Sequence, residues 1–109
     1  MSFVRVCDVA DVPTDEGLRI TVEGVEPIAL FNVNGEFFAV QDTCTHGQWS
    51  LSEGFVEDYQ VECTLHLARF CLRTGAVCAP PATAPLKTFA VRVDGSDVLI
   101  DPAVAAGAL

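Results

Sequence analysis

Short runs of alternating apolar and polar residues recur along this chain, and turn residues separate them. Four of these runs form two pairs, residues 29–33 with 37–40 and residues 89–93 with 98–100. Asn34-Gly35 joins the first pair, and a turn containing Gly95 joins the second. Such turns suit the twist of antiparallel strands, so both pairs are predicted to be β-hairpins.

Further strands are predicted where the same alternation continues outside the hairpins. Residues 19–22 and 60–63 alternate in this way, whereas residues 8–12 and 50–53 each suit one helical turn. No segment shows three turns of helical periodicity. The pattern therefore predicts an all-β fold of short antiparallel strands, arranged as a single domain over residues 1–109.

Length and composition agree with one globular domain. The chain has 109 residues, of which 50% are hydrophobic, and this length suffices for one core. No apolar run approaches the roughly 18 residues of a membrane span, and the first residues do not resemble a signal peptide. We therefore expect a cytoplasmic protein. Five cysteines, an odd number, also favour a reducing compartment.

The chain is strongly acidic, with 15 acidic and 6 basic residues and a formal net charge of −9. This charge argues against binding to nucleic acid or to an anionic membrane, and it favours a partner with a basic docking patch. Several acids lie in the middle of the sequence, at Asp42, Glu53, Glu57, Asp58 and Glu62. An acidic excess that only maintains solubility is an equally good interpretation.

Two short motifs in this acidic region contain both histidines of the chain. Cys44 and His46 form a CxH motif, and Cys63 and His66 form a CxxH motif after 16 intervening residues. Two thiolates and two imidazoles, one of each on either loop, are the ligands of a Rieske [2Fe–2S] cluster, in which histidines replace two cysteines on one iron. The motifs therefore predict one such cluster bound by these four residues.

Two other interpretations of the motifs remain open. A zinc site also uses two thiolates and two imidazoles, although its usual order is CxxC followed by HxxxH. Without a metal, the four residues would simply be buried core side chains. Cys7, Cys71 and Cys78 are predicted to be buried thiols, and a hairpin around Gly75 would place Cys71 beside Cys78, close enough for a disulfide.

The segments around these motifs resemble the Rieske-type ferredoxins of bacterial aromatic-ring-hydroxylating dioxygenase systems. The similar segments are residues 44–47, 49–54, 62–66, 70–75 and 80–86. This resemblance implies a base of antiparallel sheets with a small cluster-binding lobe at about residues 43–85. It also implies one-electron transfer from an NADH-dependent flavoprotein reductase to a Rieske non-haem iron terminal oxygenase, by a carrier that is monomeric when free.

The resemblance also indicates a low reduction potential. High-potential Rieske proteins have an additional disulfide-bonded cysteine in each ligand loop, and here Trp49 and Leu65 stand at those places. A catalytic oxygenase would need two further histidines for a mononuclear iron, and none remains after His46 and His66. We therefore expect an electron carrier rather than an enzyme. The alternatives are a Rieske-type small subunit of another redox enzyme, such as nitrite reductase, and a zinc-stabilised interaction module.

Overall fold

Short antiparallel strands dominate the computed structural model, which describes residues 3–45, 49–63, 68–79 and 84–104. The strands within these ranges are β1 Val4–Asp8, β2 Gly17–Ile20, β3 Ile28–Val33, β4 Glu36–Gln41, β5 Phe55–Glu57, β6 Gln60–Glu62, β7 Arg69–Cys71, β8 Val77–Ala79, β9 Thr88–Asp94 and β10 Asp97–Asp101. Single 3-10 turns at Val9–Asp11 and Leu51–Glu53 match the two predicted helical turns. The prediction of an all-β fold is confirmed.

The strands form two sheets. One has six strands in the order β1-β10-β9-β4-β3-β2, and the other has four in the order β5-β6-β7-β8. The β3–β4 hairpin is confirmed, with Asn34 at φ 53° and Gly35 at φ 88° as its left-handed turn residues. The β9–β10 hairpin is also confirmed, and its turn is two residues long because Asp94 pairs with Asp97.

Other strand predictions need correction. The strand predicted at 19–22 begins and ends two residues earlier, because Gly17 pairs with Phe31 and Ile20 with Ile28. The strands β1 and β5 were not predicted, and β5 has only three residues. The hairpin suggested around Gly75 does form, as β7 and β8. Within the described part of the chain, no helix is long and apolar enough to cross a membrane.

The strand β3 connects two hydrophobic cores because its side chains alternate between its faces. Ala29, Phe31 and Val33 pack in a cluster with residues of the four-stranded sheet, including Val61 and Phe70. The intervening side chains, Ile28 and Leu30, belong to a second cluster within the six-stranded sheet. All five of these β3 residues are buried. The four-stranded sheet is therefore packed on the outer face of β3.

A buried carboxylate reinforces the junction between the two sheets. Asp42, which follows β4, is 2% exposed and accepts hydrogen bonds from the Ser50 hydroxyl at 2.7 and 2.8 Å and from the Ser52 backbone N–H at 3.0 Å. The Nε atom of Arg19 on β2 lies 3.5 Å from the same carboxylate. The Leu51 N–H also donates to the Asp42 carbonyl, at 2.7 Å. The segment that leads to β5 is thus bound to the end of β4.

Replacing Asp42 with alanine should destabilise the protein by about 2–4 kcal/mol, because the partly buried Ser52 N–H and Ser50 hydroxyl lose their acceptor. For a domain of this size, the melting temperature should fall by roughly 10 °C or more. Thermal unfolding followed by far-UV circular dichroism measures the change. Glu23→Ala, at an exposed acid, is the control and should have little effect. Equal melting temperatures for both variants would contradict a structural role for Asp42.

Candidate metal centre

The two motif cysteines are brought into one core by strands of different sheets. Cys44 lies three residues beyond the end of β4, and Cys63 directly follows β6. Cys44 is 2% exposed and Cys63 is 1% exposed. Both pack in the hydrophobic cluster that lies between the sheets, together with Leu51 and Phe70. Two residues that are far apart in sequence are therefore brought into the same hydrophobic cluster.

Each motif cysteine begins a loop that a backbone hydrogen bond closes. The Cys44 N–H donates to the Trp49 carbonyl at 2.9 Å, and the Cys63 N–H donates to the Ala68 carbonyl at 2.8 Å. Each bond spans the same number of residues, so both cysteines start four-residue loops with fixed ends. The predicted ligands His46 and His66 fall in these loops and lie outside the described residues.

The structure describes two of the four predicted cluster ligands, Cys44 and Cys63. Both are buried thiols, and the described residues contain no group of three or more metal-ligating side chains. Thiolates are the ligands that iron–sulfur clusters require. Two ferric ions, two sulfides and two thiolates sum to about zero charge with neutral imidazoles. An apolar environment of this kind therefore suits such a cluster, since burial of a net charge would be costly.

A third segment of the site, residues 84–86, is hydrogen-bonded to the loop that begins at Cys44. The Thr45 hydroxyl donates to the Ala84 carbonyl at 2.7 Å, and the Leu86 N–H donates to the Gly75 carbonyl at 2.8 Å. Leu86 is buried in the same cluster as the motif cysteines. These contacts fix the end of the proline-rich segment, of which residues 80–83 lie outside the described ranges.

Gly75 allows the third segment to approach closely. Its φ is 79°, and a Cβ there would collide with the Leu86 carbonyl oxygen. Its N–H also donates to the Cys71 carbonyl at 2.7 Å. This close contact cannot be identified from the sequence, because it depends on which segment lies against Gly75 in the folded protein.

The remaining cysteines differ from their predicted environments. Cys7 is buried as predicted, whereas Cys71 is half-buried and Cys78 is exposed. The predicted pairing of Cys71 with Cys78 is wrong, because Phe70 pairs with Val77 and Arg69 with Ala79, which leaves Cys78 unpaired in the ladder at a bulge. Among the described residues, neither Cys71 nor Cys78 is in a disulfide.

The electrostatic environments of Cys7 and Cys71 also differ. Burial is the main cause that raises the pKa of the Cys7 thiol. Burial also opposes ionisation of Cys71. Hydrogen bonds from the Thr74 hydroxyl and from the backbone of Thr74 and Arg73 outweigh it, so the pKa of the Cys71 thiol is lowered. Neither Cys7 nor Cys71 belongs to the hydrophobic cluster that contains the two motif cysteines.

Two of the five acids grouped in the sequence analysis do not contribute to an acidic surface. Asp42 is buried at the sheet junction, and Glu62 forms an ion pair with Arg69 at 2.9 Å. Glu53, Glu57 and Asp58 are exposed as expected. The acidic surface in this region is therefore smaller than the sequence indicates.

Gly75→Ala should destabilise the protein by at least about 3 kcal/mol, because it adds a collision with the Leu86 carbonyl to the strain of a left-handed residue. Gly95→Ala is the matched control, since Gly95 has φ 63° and no atom within 4 Å of its added Cβ. The control should lose only about 1–2 kcal/mol. Melting temperatures of the two variants separate the contributions, and equal losses would show that close approach at Gly75 is unimportant.

Comparisons with known proteins show what the chain is similar to. A family model of the Rieske [2Fe–2S] domain matches residues 2–90. The ferredoxin component of biphenyl 2,3-dioxygenase from Rhodococcus jostii is 54% identical, over 93% of this chain and 94% of the relative. The solved ferredoxin of Sphingomonas yanoikuyae is 35% identical with a TM-score of 0.87, covering 92% of this chain and 98% of that one.

A second solved structure is similar to the chain and contains two proteins. It is a complex of reduced oxygenase and oxidised ferredoxin in carbazole 1,9a-dioxygenase. The matching chain is 36% identical with a TM-score of 0.84, and the match covers 90% of this chain and 91% of that one. In that system, a protein of this fold associates with a terminal oxygenase.

Proposed function

Since the chain belongs to the Rieske [2Fe–2S] family, we propose that it is the one-electron carrier of a multicomponent aromatic-ring-hydroxylating dioxygenase. It takes electrons from an NADH-dependent flavoprotein reductase and delivers them to a Rieske non-haem iron terminal oxygenase. The observation that carries this proposal is the 54% identity, over nearly the whole of both chains, with the ferredoxin component of a biphenyl dioxygenase.

The cofactor is one Rieske-type [2Fe–2S] cluster, as the family match and the ferredoxin relatives indicate. Cys44 and Cys63 bind one iron in our proposal, and His46 and His66 bind the other. The cluster supplies reversible uptake of one electron. The chain holds the two thiolates in an apolar core and fixes the first residue of each loop through a backbone hydrogen bond.

The proposed carrier is a single domain over residues 1–109, with a cluster-binding lobe at about residues 43–85. The division of the strands supports these bounds, because the four-stranded sheet is formed by β5 to β8 and the six-stranded sheet by the remaining strands. The carrier is monomeric when free and acts in the cytoplasm. Its strong negative charge is unsuited to nucleic acid or anionic lipid.

We place its reduction potential at the low end of the Rieske range of about −150 to +300 mV. Trp49 supports this, because it stands where high-potential Rieske proteins have a cysteine. A low potential suits delivery to an oxygenase. The match to an iron–sulfur family argues against a zinc-stabilised module. The high identity with a dioxygenase component argues against a subunit of nitrite reductase.

Single replacement of Cys44, His46, Cys63 or His66 by alanine should abolish or severely deplete the cluster, since each removes an iron ligand. Iron and acid-labile sulfide content, together with the visible spectrum, measure the loss. Cys7→Ser, Cys71→Ser and Cys78→Ser are the controls and should retain the cluster. Loss of the cluster from folded Cys71→Ser protein would contradict the ligand assignment.

Reconstitution tests the proposed function. The purified protein, a flavoprotein reductase and a terminal oxygenase from a biphenyl dioxygenase system should together consume NADH and hydroxylate biphenyl. Omission of this protein should reduce product formation to background, and the cluster-depleted Cys63→Ala variant should not restore it. Turnover that is equally fast without the protein would refute its role as the carrier.

A further inference from the structure

One acidic side chain is buried close to the proposed cluster ligands. Asp42 and Asp101 are the buried acids among the described residues, at 2% and 3% exposure. Asp42 stands two residues before Cys44, so ordinary extended geometry puts their Cα atoms roughly 7 Å apart. Asp101 lies on β10, two strands away from β4. Of these two charges, that of Asp42 therefore adjoins the proposed site.

Main-chain hydrogen bonds hold Asp42 and Cys44 in one short ribbon. The Leu51 N–H donates to the Asp42 carbonyl at 2.7 Å, and the Cys44 N–H makes its loop-closing bond at 2.9 Å. Between these two bonds, Thr43 pairs with Ser50 in an antiparallel bridge. The distance between the backbone of the buried acid and that of the proposed iron ligand is therefore fixed.

The charge of Asp42 is only partly neutralised. Donors surround its carboxylate, as they do for an ionised acid, and they include the Ser50 hydroxyl, the Ser52 N–H and the Arg19 guanidinium. The Arg19 side chain is 61% exposed, whereas that of Asp42 is 3% exposed, and 3.5 Å separates the Nε atom from the nearest carboxylate oxygen. Water thus screens the positive charge more strongly than the negative one, so the pair acts on its buried side as a net negative charge.

The surroundings of the carboxylate allow its charge to act over several ångströms. Leu51, between the two serines that bind Asp42, is 0% exposed and packs in the same hydrophobic cluster as Cys44. The carboxylate therefore borders a region from which water is excluded. A fixed charge has a larger effect through such a medium than through water.

A fixed negative charge at this place opposes reduction. Uptake of one electron adds one negative unit to the iron–sulfur centre, which is unfavourable beside a carboxylate. Net charge around the centre is one of the factors that set the potential of such clusters. The low potential argued from Trp49 rests on a feature that high-potential proteins have and this chain lacks. Asp42 adds a feature that is present and lowers the potential.

We propose that Asp42 tunes the reduction potential of the carrier, with a buried charge that keeps the potential low and is partly offset by Arg19. This inference rests on the proposed function and gives a physical cause for the low potential. It is distinct from the structural role of Asp42 at the sheet junction, because that role depends on hydrogen bonds and the tuning depends on charge.

Reduction potentials of the purified holoprotein and its variants test the inference, in anaerobic titrations followed by visible spectroscopy near neutral pH and at about 0.1 M salt. Asp42→Asn keeps the size of the side chain and much of its hydrogen bonding, but it removes the charge. It should favour the reduced state by at least ~3-fold, a rise of about 30 mV for a one-electron couple. A smaller rise, or a fall, would overturn the inference.

Two controls remove the same charge from other places. Asp101→Asn removes an equally buried charge from β10, and Glu53→Gln removes an exposed one from the segment before β5. Distance weakens the first effect and solvent the second, so each should shift the equilibrium by less than about 1.5-fold. Equal rises for Asp42→Asn and both controls would show that only the total charge matters, and would overturn the role of Asp42.

Arg19→Gln distinguishes an effect of charge from a loosened structure. Loss of the counter-ion leaves the carboxylate less compensated, so the potential should fall, opposite in sign to the change in Asp42→Asn. A disturbance that admits water around the cluster would move both variants in the same direction, because solvent exposure also sets the potential. Shifts of the same sign would therefore overturn the inference.

Iron and sulfide content and the visible circular dichroism spectrum show whether each variant retains its cluster and fold. If Asp42→Asn does not assemble, Arg19→Gln decides alone, and an unchanged or raised potential in that variant overturns the inference. A wild-type protein without an iron–sulfur cluster would refute both proposals. A wild-type protein that has the cluster and the expected shifts, but transfers no electrons to a dioxygenase, would refute the proposed function and leave the tuning role intact.

Discussion

The structure depends on the burial of both faces of β3. A strand inside one sheet commonly packs one face on a core and exposes the other, but here alternate side chains belong to two different cores. Phe31 faces the cluster that contains Cys44 and Cys63, and Leu30 faces the second cluster, within the six-stranded sheet. The position of the four-stranded sheet, and with it that of the two motif cysteines, therefore follows from the register of a single strand.

Close backbone approaches then set the finer geometry around the site. Gly17, Gly54 and Gly75 each stand where a Cβ would meet the backbone of another segment. Asp42 adds a polar connection in the same region, where its carboxylate takes up donors from the segment before β5. Hydrophobic packing places the four-stranded sheet, and these local contacts restrict how it can turn relative to the six-stranded sheet.

Sequence patterns were sufficient wherever the determining interactions are local. Asn34-Gly35 identified the β3–β4 hairpin because the turn itself requires left-handed residues. The three-residue strand β5 could not be identified, because it exists only through pairing with β6. The bulge that separates Cys71 from Cys78 and the burial of Asp42 also arise from tertiary contacts, which alternation in the sequence does not encode.

The closure of both cysteine loops by a main-chain bond has an evolutionary consequence. Cys44 and Cys63 each donate their own N–H to the carbonyl that ends the loop, so no intervening side chain takes part in either bond. Substitutions between these end points, apart from those at the proposed ligands His46 and His66, therefore leave both main-chain bonds available. The surroundings of the two thiols can in this way diversify in evolution while their backbone anchors are retained.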